Sequence, residues 1–197
     1  MADFRIVVRA GIDLNSEGIR LIEVGLVCGA QRRVVVLDVD NVIAAAHFSS
    51  DDARHPVQYQ YRAHAYSGPF TQGPQSSFEA PPRTTDAGII IINPRELYRL
   101  TELRAVSMID PERFMAAFVD VKVEGDGWSG TETMQLSHSA REGGVRILTA
   151  NTSSAAIQHR LRYVTSAGAI IEGAWQPTEP GLIIVTNPAT AAAPADV

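Results

Sequence analysis

Chemistry in this chain would have to come from a small set of side chains. The five histidines, His47, His55, His64, His138 and His159, show no pair at i, i+2 or i, i+4 of the kind that holds zinc. Asp38 and Asp40 fall on one face of an extended segment with Asn41 beside them, a start for a hard-cation site of oxygen ligands. No further acidic cluster accompanies them in the sequence, so solvated carboxylates on an outer face are the expectation, with no metal and no cofactor. Ser137, His138 and Ser139 put hydroxyls beside an imidazole. Neighbours along a strand point to opposite faces, however, so they do not make a nucleophile and base.

One formal motif is present. Gly125, Gly127 and Gly130 fit the dinucleotide-binding glycine pattern. That pattern needs a helix to follow, whose N-terminal amides meet the pyrophosphate. Residues 131–137 alternate as a strand instead, so the glycines are expected to make a hairpin turn with Trp128 at its tip. The aromatics offer binding rather than catalysis. Trp128, with Tyr66, Phe70 and Phe78 around a loop rich in proline, is the candidate platform for a sugar or a partner peptide.

These side chains need strands to hold them. In residues 57–66, Val57, Tyr59, Tyr61, Ala63 and Ala65 alternate with Gln58, Gln60, Arg62, His64 and Tyr66, which is period-two patterning with one apolar face. Val119, Val121 and Val123 are expected inward, and Asp120, Lys122 and Glu124 outward. His159 falls on the inward phase of its strand and is expected as a tucked, hydrogen-bonded core histidine. Residues 32–40 read as a central sandwich strand, and the runs 89–92 and 182–185 as strands buried on both sides. Helix is confined to a single turn after Asp110, and 42–48 reads as a strand despite its alanines.

The chain also repeats itself. Residues 57–68 match 157–168 without a gap, with Val57 on Ile157, Gln58 on Gln158, Arg62 on Arg162 and Gly68 on Gly168. Ile12 and Asp13 fall on Ile109 and Asp110, and both halves close on Asn-Pro, at Asn93 and Asn187. Phe78 and Trp175 take similar places in the two halves. Drifting offsets are what insertions in surface loops produce, so the pattern is an internal duplication. About seven short strands per half give two tandem immunoglobulin-like or fibronectin type III-like β-sandwiches, all-β, at 1–96 and 97–189, with 95–100 as linker and 190–197 as a disordered tail. The likeness is one of architecture.

Composition bounds the function. A net charge of −5 argues against nucleic acid as the main partner. Cys28 is the single cysteine and reads as a small buried hydrophobe. Neither a signal-like leader nor a run near the ~20 residues of a membrane helix is seen, so the cytoplasm is the default compartment and no membrane partner is expected. The sequence thus points to a non-enzymatic binding or assembly module, a structural subunit or an adaptor, with a protein partner or self-assembly. A carbohydrate-binding module is the alternative, and an enzyme with a dispersed site the weakest reading. The proline-rich loop at 68–87, carrying Phe70 and Phe78, is expected to fold over the sandwich or a neighbouring subunit and form part of the binding surface.

Overall fold

The computed structural model describes residues 2–50, 56–66, 77–125 and 127–188. They form two tandem β-sandwich units. Unit 1 is Met1–Leu100 together with Leu148–Ser153, and unit 2 is Thr101–Ile147 with Ser154–Val197. The inclusion of Leu148–Ser153 in unit 1 has no signal in the sequence.

Unit 1 is built from β1 (Ala2–Ala10), β2 (Ile19–Cys28), β3 (Gln31–Asp38), β4 (Ile43–Ser50), β5 (Val57–Ala65), β6 (Ser77–Glu79), β7 (Arg83–Thr85) and β8 (Ile89–Ile92). One sheet has the order β4-β1-β8 and the other β3-β2-β5-β6, with β7 also on β5. Most neighbours are antiparallel, but β8 runs parallel to β1, Val7 facing Ile89 and Ala10 facing Ile92. The core lies between the sheets, where Ile6 and Val8 of β1 meet Ile22, Val24 and Leu26 of β2, Phe48 of β4 and Ile90 and Ile92 of β8. Period-two alternation dictates this, since each strand can bury only every second side chain against the facing sheet.

Unit 2 repeats the plan strand for strand. Its elements are β9 (Tyr98–Ser107), β10 (Phe114–Gly125), β11 (Trp128–Ser137), β12 (Glu142–Ala150), β13 (Ala155–Thr165), β14 (Ile170–Glu172), β15 (Gln176–Pro177) and β16 (Gly181–Val185). The orders are β12-β9-β16 and β11-β10-β13-β14, with β15 on β13 and β16 parallel to β9. Even the irregularities recur. The β2–β5 ladder slips between Ile19 and Leu21, and the β10–β13 ladder between Phe114 and Ala116. Asp13 and Asp110 each turn the chain the same way, their carboxylates accepting the amides of Asn15 and Glu112. The loop from Asp110 into β10 is two residues shorter than that from Asp13 into β2, which accounts for drift between the halves.

Among the described residues each unit therefore has eight strands with a parallel edge, where the sequence suggested seven. The missed strands are β7 and β15, two or three residues long and partnered only by β5 and β13. Arg83–Thr85 pairs even though it directly follows Pro81 and Pro82, so those prolines end one short strand and precede another. Residues 95–100, expected as linker, hold the end of a 3-10 turn (Pro94–Glu96) and the start of β9.

Two expectations about burial are corrected. The runs 89–92 and 182–185 are edge strands with one solvated face, not strands covered on both sides. Likewise β3 lies at a sheet edge with Val34 and Val36 exposed, because its neighbour on one side only is β2. An unbroken aliphatic run carries no alternation, so its sequence cannot reveal which side is wet.

Candidate functional site

The strands fix a pair of related surfaces, the outer faces of the three-stranded sheets. In unit 1, β1 presents Arg5, Val7 and Arg9 outward, with His47, Ala45 and Ile43 of β4 beside them in register. On the other side stands β8, whose Ile89 and Ile91 are 61% and 66% exposed. In unit 2, β9 presents Glu102, Arg104 and Val106, and β16 adds Leu182 and Ile184 at 59% and 56% exposure. The ladders make the correspondence explicit: Val7 faces Ile89 as Arg104 faces Leu182, and Arg9 faces Ile91 as Val106 faces Ile184. Both units thus hold two large aliphatics in water at the same two positions of an edge strand. On β12, Gly144 lies between Glu142 and Arg146 and leaves a hollow of about 300 Å³, walled by Arg104 and Glu142.

The outer face of the other sheet of unit 2 has a different character. Asp120 lies on the outward phase of β10, as expected, yet is only 2% exposed. The cross-strand positions supply its cover. Arg162 donates to it through Nε and Nη2 at 2.6 and 2.7 Å, Arg160 through the same atoms at 3.2 and 3.0 Å, and the Thr133 hydroxyl at 2.7 Å. Burial by itself would raise the Asp120 carboxyl, but the hydrogen bonds from Arg162, Thr133 and Arg160 outweigh it and hold the group below the usual carboxylate range. Arg160 also lies over the Trp175 ring at 4.8 Å and pairs with Glu172. In unit 1 the register puts Gly25 at the place of Asp120, so this network belongs to the second unit alone.

Unit 1 holds a second buried acid. Glu17 is 5% exposed and takes Arg95 through Nε, at 2.9 Å, and Nη2, and the Tyr98 hydroxyl at 3.2 Å. A cavity of about 350 Å³ opens beside it, lined by Arg95, Tyr98 and Leu100. Tyr61 donates to Glu96, as Arg83 does at 2.7 Å, which holds Glu96 low. Burial raises both Tyr61 and Tyr98, so these phenols stay protonated donors. Asn151 completes the cluster through Nδ2, which bonds the carbonyls of Arg95 and Glu96. Every acid in this cluster is matched by arginine or tyrosine. The chemistry available is to hold the chain around residues 93–98.

The residues singled out from the sequence have unlike surroundings. Phe78 is 5% exposed, its ring 5.3 Å from that of Tyr98, so it anchors the core of unit 1 and is not presented to a ligand. Tyr66 is exposed at the end of β5. Phe70 lies outside the described residues, as do most of the loop that carries it and the tail 190–197. Trp128 belongs to unit 2 and does open β11 after a tight turn, Gly127 having a φ of +79° that only glycine adopts freely. It is half-buried, lying over Gly125 where any Cβ would strike the indole, and its Nε1 is buried with no partner among the described residues. Nor is Trp175 the counterpart of Phe78. The ladders place Phe78 opposite Ala63 and Ile171 opposite Tyr163, which makes Ile171 the equivalent residue.

The Asp38 carboxylate accepts the amides of Asp40 and Asn41 and the Asn41 Nδ2, capping the turn after β3. Among the described residues no group of three or more His, Cys, Asp or Glu could hold a metal ion. No described helix is long and apolar enough to cross a membrane. His159 sits half-buried on β13 with Nδ1 2.6 Å from the Thr178 hydroxyl, and burial pushes it below the ordinary histidine value. A group lowered in this way opposes its own protonation in the folded state. Its contribution is complete above the unfolded value near 6.5 and is lost as pH falls below it. The urea midpoint is expected to drop between pH 7.5 and 5, and to drop less in His159→Tyr, which places there the residue found at the equivalent Tyr59. Equal slopes in the two proteins would show that the imidazole does not contribute.

No protein-family model matches the chain, and no curated protein matches it. Among solved structures, 96% of the chain is similar to part of a leucine-rich repeat protein from Bacteroides thetaiotaomicron VPI-5482, at 8% identity and a TM-score of 0.26. The chain spans about a quarter (26%) of that protein's length. A likeness at that level carries neither fold nor function.

Proposed function

We propose that the chain is a non-enzymatic binding or assembly module that meets a protein partner through the edge strands β8 and β16. One observation carries this reading: Ile89 and Ile91, and Leu182 and Ile184, stand in water at equivalent positions of two edge strands. Edge strands offer unpaired amides and carbonyls to an added strand, and natural proteins usually blunt them with charge. Here the outward positions of both edges are aliphatic, which suits burial against a partner better than solvation. The chemistry of the buried acids supports the non-enzymatic part. Asp120 and Glu17 are both saturated by arginine, which suits holding strands together better than proton transfer.

The test is affinity capture from the native source, run in parallel with the parent chain and with Ile91→Lys/Ile184→Lys. Proteins retained by the parent and lost by the variant, further copies of the chain included, are the expected result. Identical sets from both would sink the reading.

A further inference from the structure

We infer that the β8 edge of unit 1 takes an added strand from an acidic partner protein, one that alternates aliphatic and carboxylate side chains. The inference rests on the binding reading above and gives the β8 partner its chemistry. Gly88 and Ile92 accept the amides of Val7 and Gly11, so alternation turns the amides and carbonyls of Ile89 and Ile91 away from β1. β8 ends its sheet, and those groups have no partner among the described residues. On the outer face beside them, the register sets Arg9 between Ile43 of β4 and Ile91, and Val7 between Ala45 and Ile89. Arg5 follows, across from His47. Both arginines are exposed, and neither guanidinium has an ion-pair or hydrogen-bond partner among the described residues. On the outward phase of these three strands the one described acid is Asp3, at the far end, where it accepts the Ser49 hydroxyl.

A chain of net charge −5 thus keeps one sheet face basic and aliphatic. The duplicated face of unit 2 does not share this. There Arg104 and Arg146 stand with Glu102 and Glu142, and Glu102 is 3.0 Å from Arg146. Its charge is balanced, so β16 has no preference for an acid and β8 does. A strand added beyond β8 stands about 10 Å from β1, two strand spacings away. A glutamate on its outer face and the Arg9 side chain reach each other across Ile91. Its other face points the same way as the buried Ile90 and Ile92, which suits aliphatic side chains. In such an addition the main-chain bonds supply affinity, and the side chains select the partner. An anionic lipid surface also attracts arginine, but it leaves the open amides and carbonyls of the edge unpaired.

The experiment is fluorescence anisotropy on the full-length chain with a labelled peptide of four Val-Glu repeats, at about 0.15 M salt to screen distant charges. Circular dichroism confirms that each variant keeps the parent's strand signal. Saturable binding below about 1 mM is expected. Val-Lys repeats of the same length should not bind, and neither should the Val-Glu peptide with every amide methylated, which has no donors for pairing. Arg9→Glu is expected to weaken binding at least about fivefold, because it sets like charges together. Arg32→Glu, a like change on β3 of the other sheet, should alter it by less than about twofold. Sedimentation with phosphatidylserine vesicles tests the lipid surface, and none of the chain is expected to pellet with them. No binding of the Val-Glu peptide, equal binding of either control peptide, equal effects of the two substitutions, or uptake by the vesicles without peptide binding would each overturn the inference. Capture of other proteins that still depends on Ile91 and Ile184, in a chain that ignores the peptide, would leave the binding reading standing.

Discussion

Asp120→Ala is expected to lower the stability of unit 2 by about 2–3 kcal/mol at neutral pH. Removing one partner of a buried ion pair costs about 3–5 kcal/mol, because the remaining charge is left in a poorly solvated place. Here the survivors are Arg160 and Arg162, 26% and 30% exposed, so water recovers part of that loss. They stand two residues apart on one face of β13 and would repel each other once the carboxylate is gone. The Thr133 hydroxyl also loses its acceptor. Asp120→Asn keeps the shape and an acceptor oxygen and is expected to cost less.

The stabilisation by Asp120 depends on pH. The Asp120 carboxyl is held below its ordinary value, so its contribution is complete above the unfolded value near 3.8 and is lost as pH falls through the lower folded value. The difference between parent and Asp120→Ala in urea should therefore shrink below about pH 4. A gap that stays constant down to pH 2.5 would mean that the aspartate acts through packing alone.

Ala63→Tyr is expected to destabilise unit 1 by about 1–3 kcal/mol, and to cost less where Phe78 has been made smaller. The reason is an exchange of volume between the repeats. Unit 1 sets Phe78 of β6 against Ala63 of β5, and unit 2 sets Ile171 of β14 against Tyr163 of β13. In both, one aromatic ring occupies that corner of the core, but the strand that supplies it has changed. Tyr163 meets Phe114 with ring centroids 5.7 Å apart and planes tilted by 56°, where unit 1 has Ile19 at the same ladder slip. A tyrosine at 63 with Phe78 still present overfills a site where Ala63 is wholly buried. Phe78→Ile alone leaves a void and costs about 1–2 kcal/mol. Ala63→Tyr/Phe78→Ile should cost at least 1 kcal/mol less than the two single changes together, a coupling within the usual range for touching residues. Strict additivity in denaturant titrations would refute the exchange.

The same pair of strands shows what the sequence could and could not reveal. The repeat at 57–68 and 157–168 was legible because both strands alternate cleanly and pair over their whole length, so no gap intervenes. The closing Asn-Pro was legible as punctuation but misplaced the strands by one residue. Gly11 bonds the carbonyl of Ile92 and Met108 that of Val185, which leaves Thr186 as an extra residue before Asn187. Phe78 and Trp175 were paired because both are aromatic, although core volume is conserved over a group of residues and not at each position. Asp120 was placed on the correct face, and its burial was missed because the cover comes from Arg160 and Arg162, forty and more positions away. Arg160 and Arg162, on the same phase of one strand, were the available signal. The wet edges of β8 and β16 had none, since both phases of those strands are aliphatic.

Each unit joins its opening strand to its closing strand in parallel, and unit 1 additionally draws in Leu148 and Asn151 from far along the chain. A ribosome makes these partners in order. The β1 strand waits for some eighty residues before β8 emerges to flank it, and the unit is complete only after Asn151 has followed, when most of unit 2 already exists. Until then the core of unit 1 lacks Leu148, and the carbonyls of Arg95, Glu96 and Leu97 lack the Asn151 donors. Such non-local closure makes folding slow and leaves apolar edges open during synthesis. Unit 1 in a chain halted at residue 100 is expected to be cut by protease and to bind chaperones, while unit 1 in the full-length chain resists cutting.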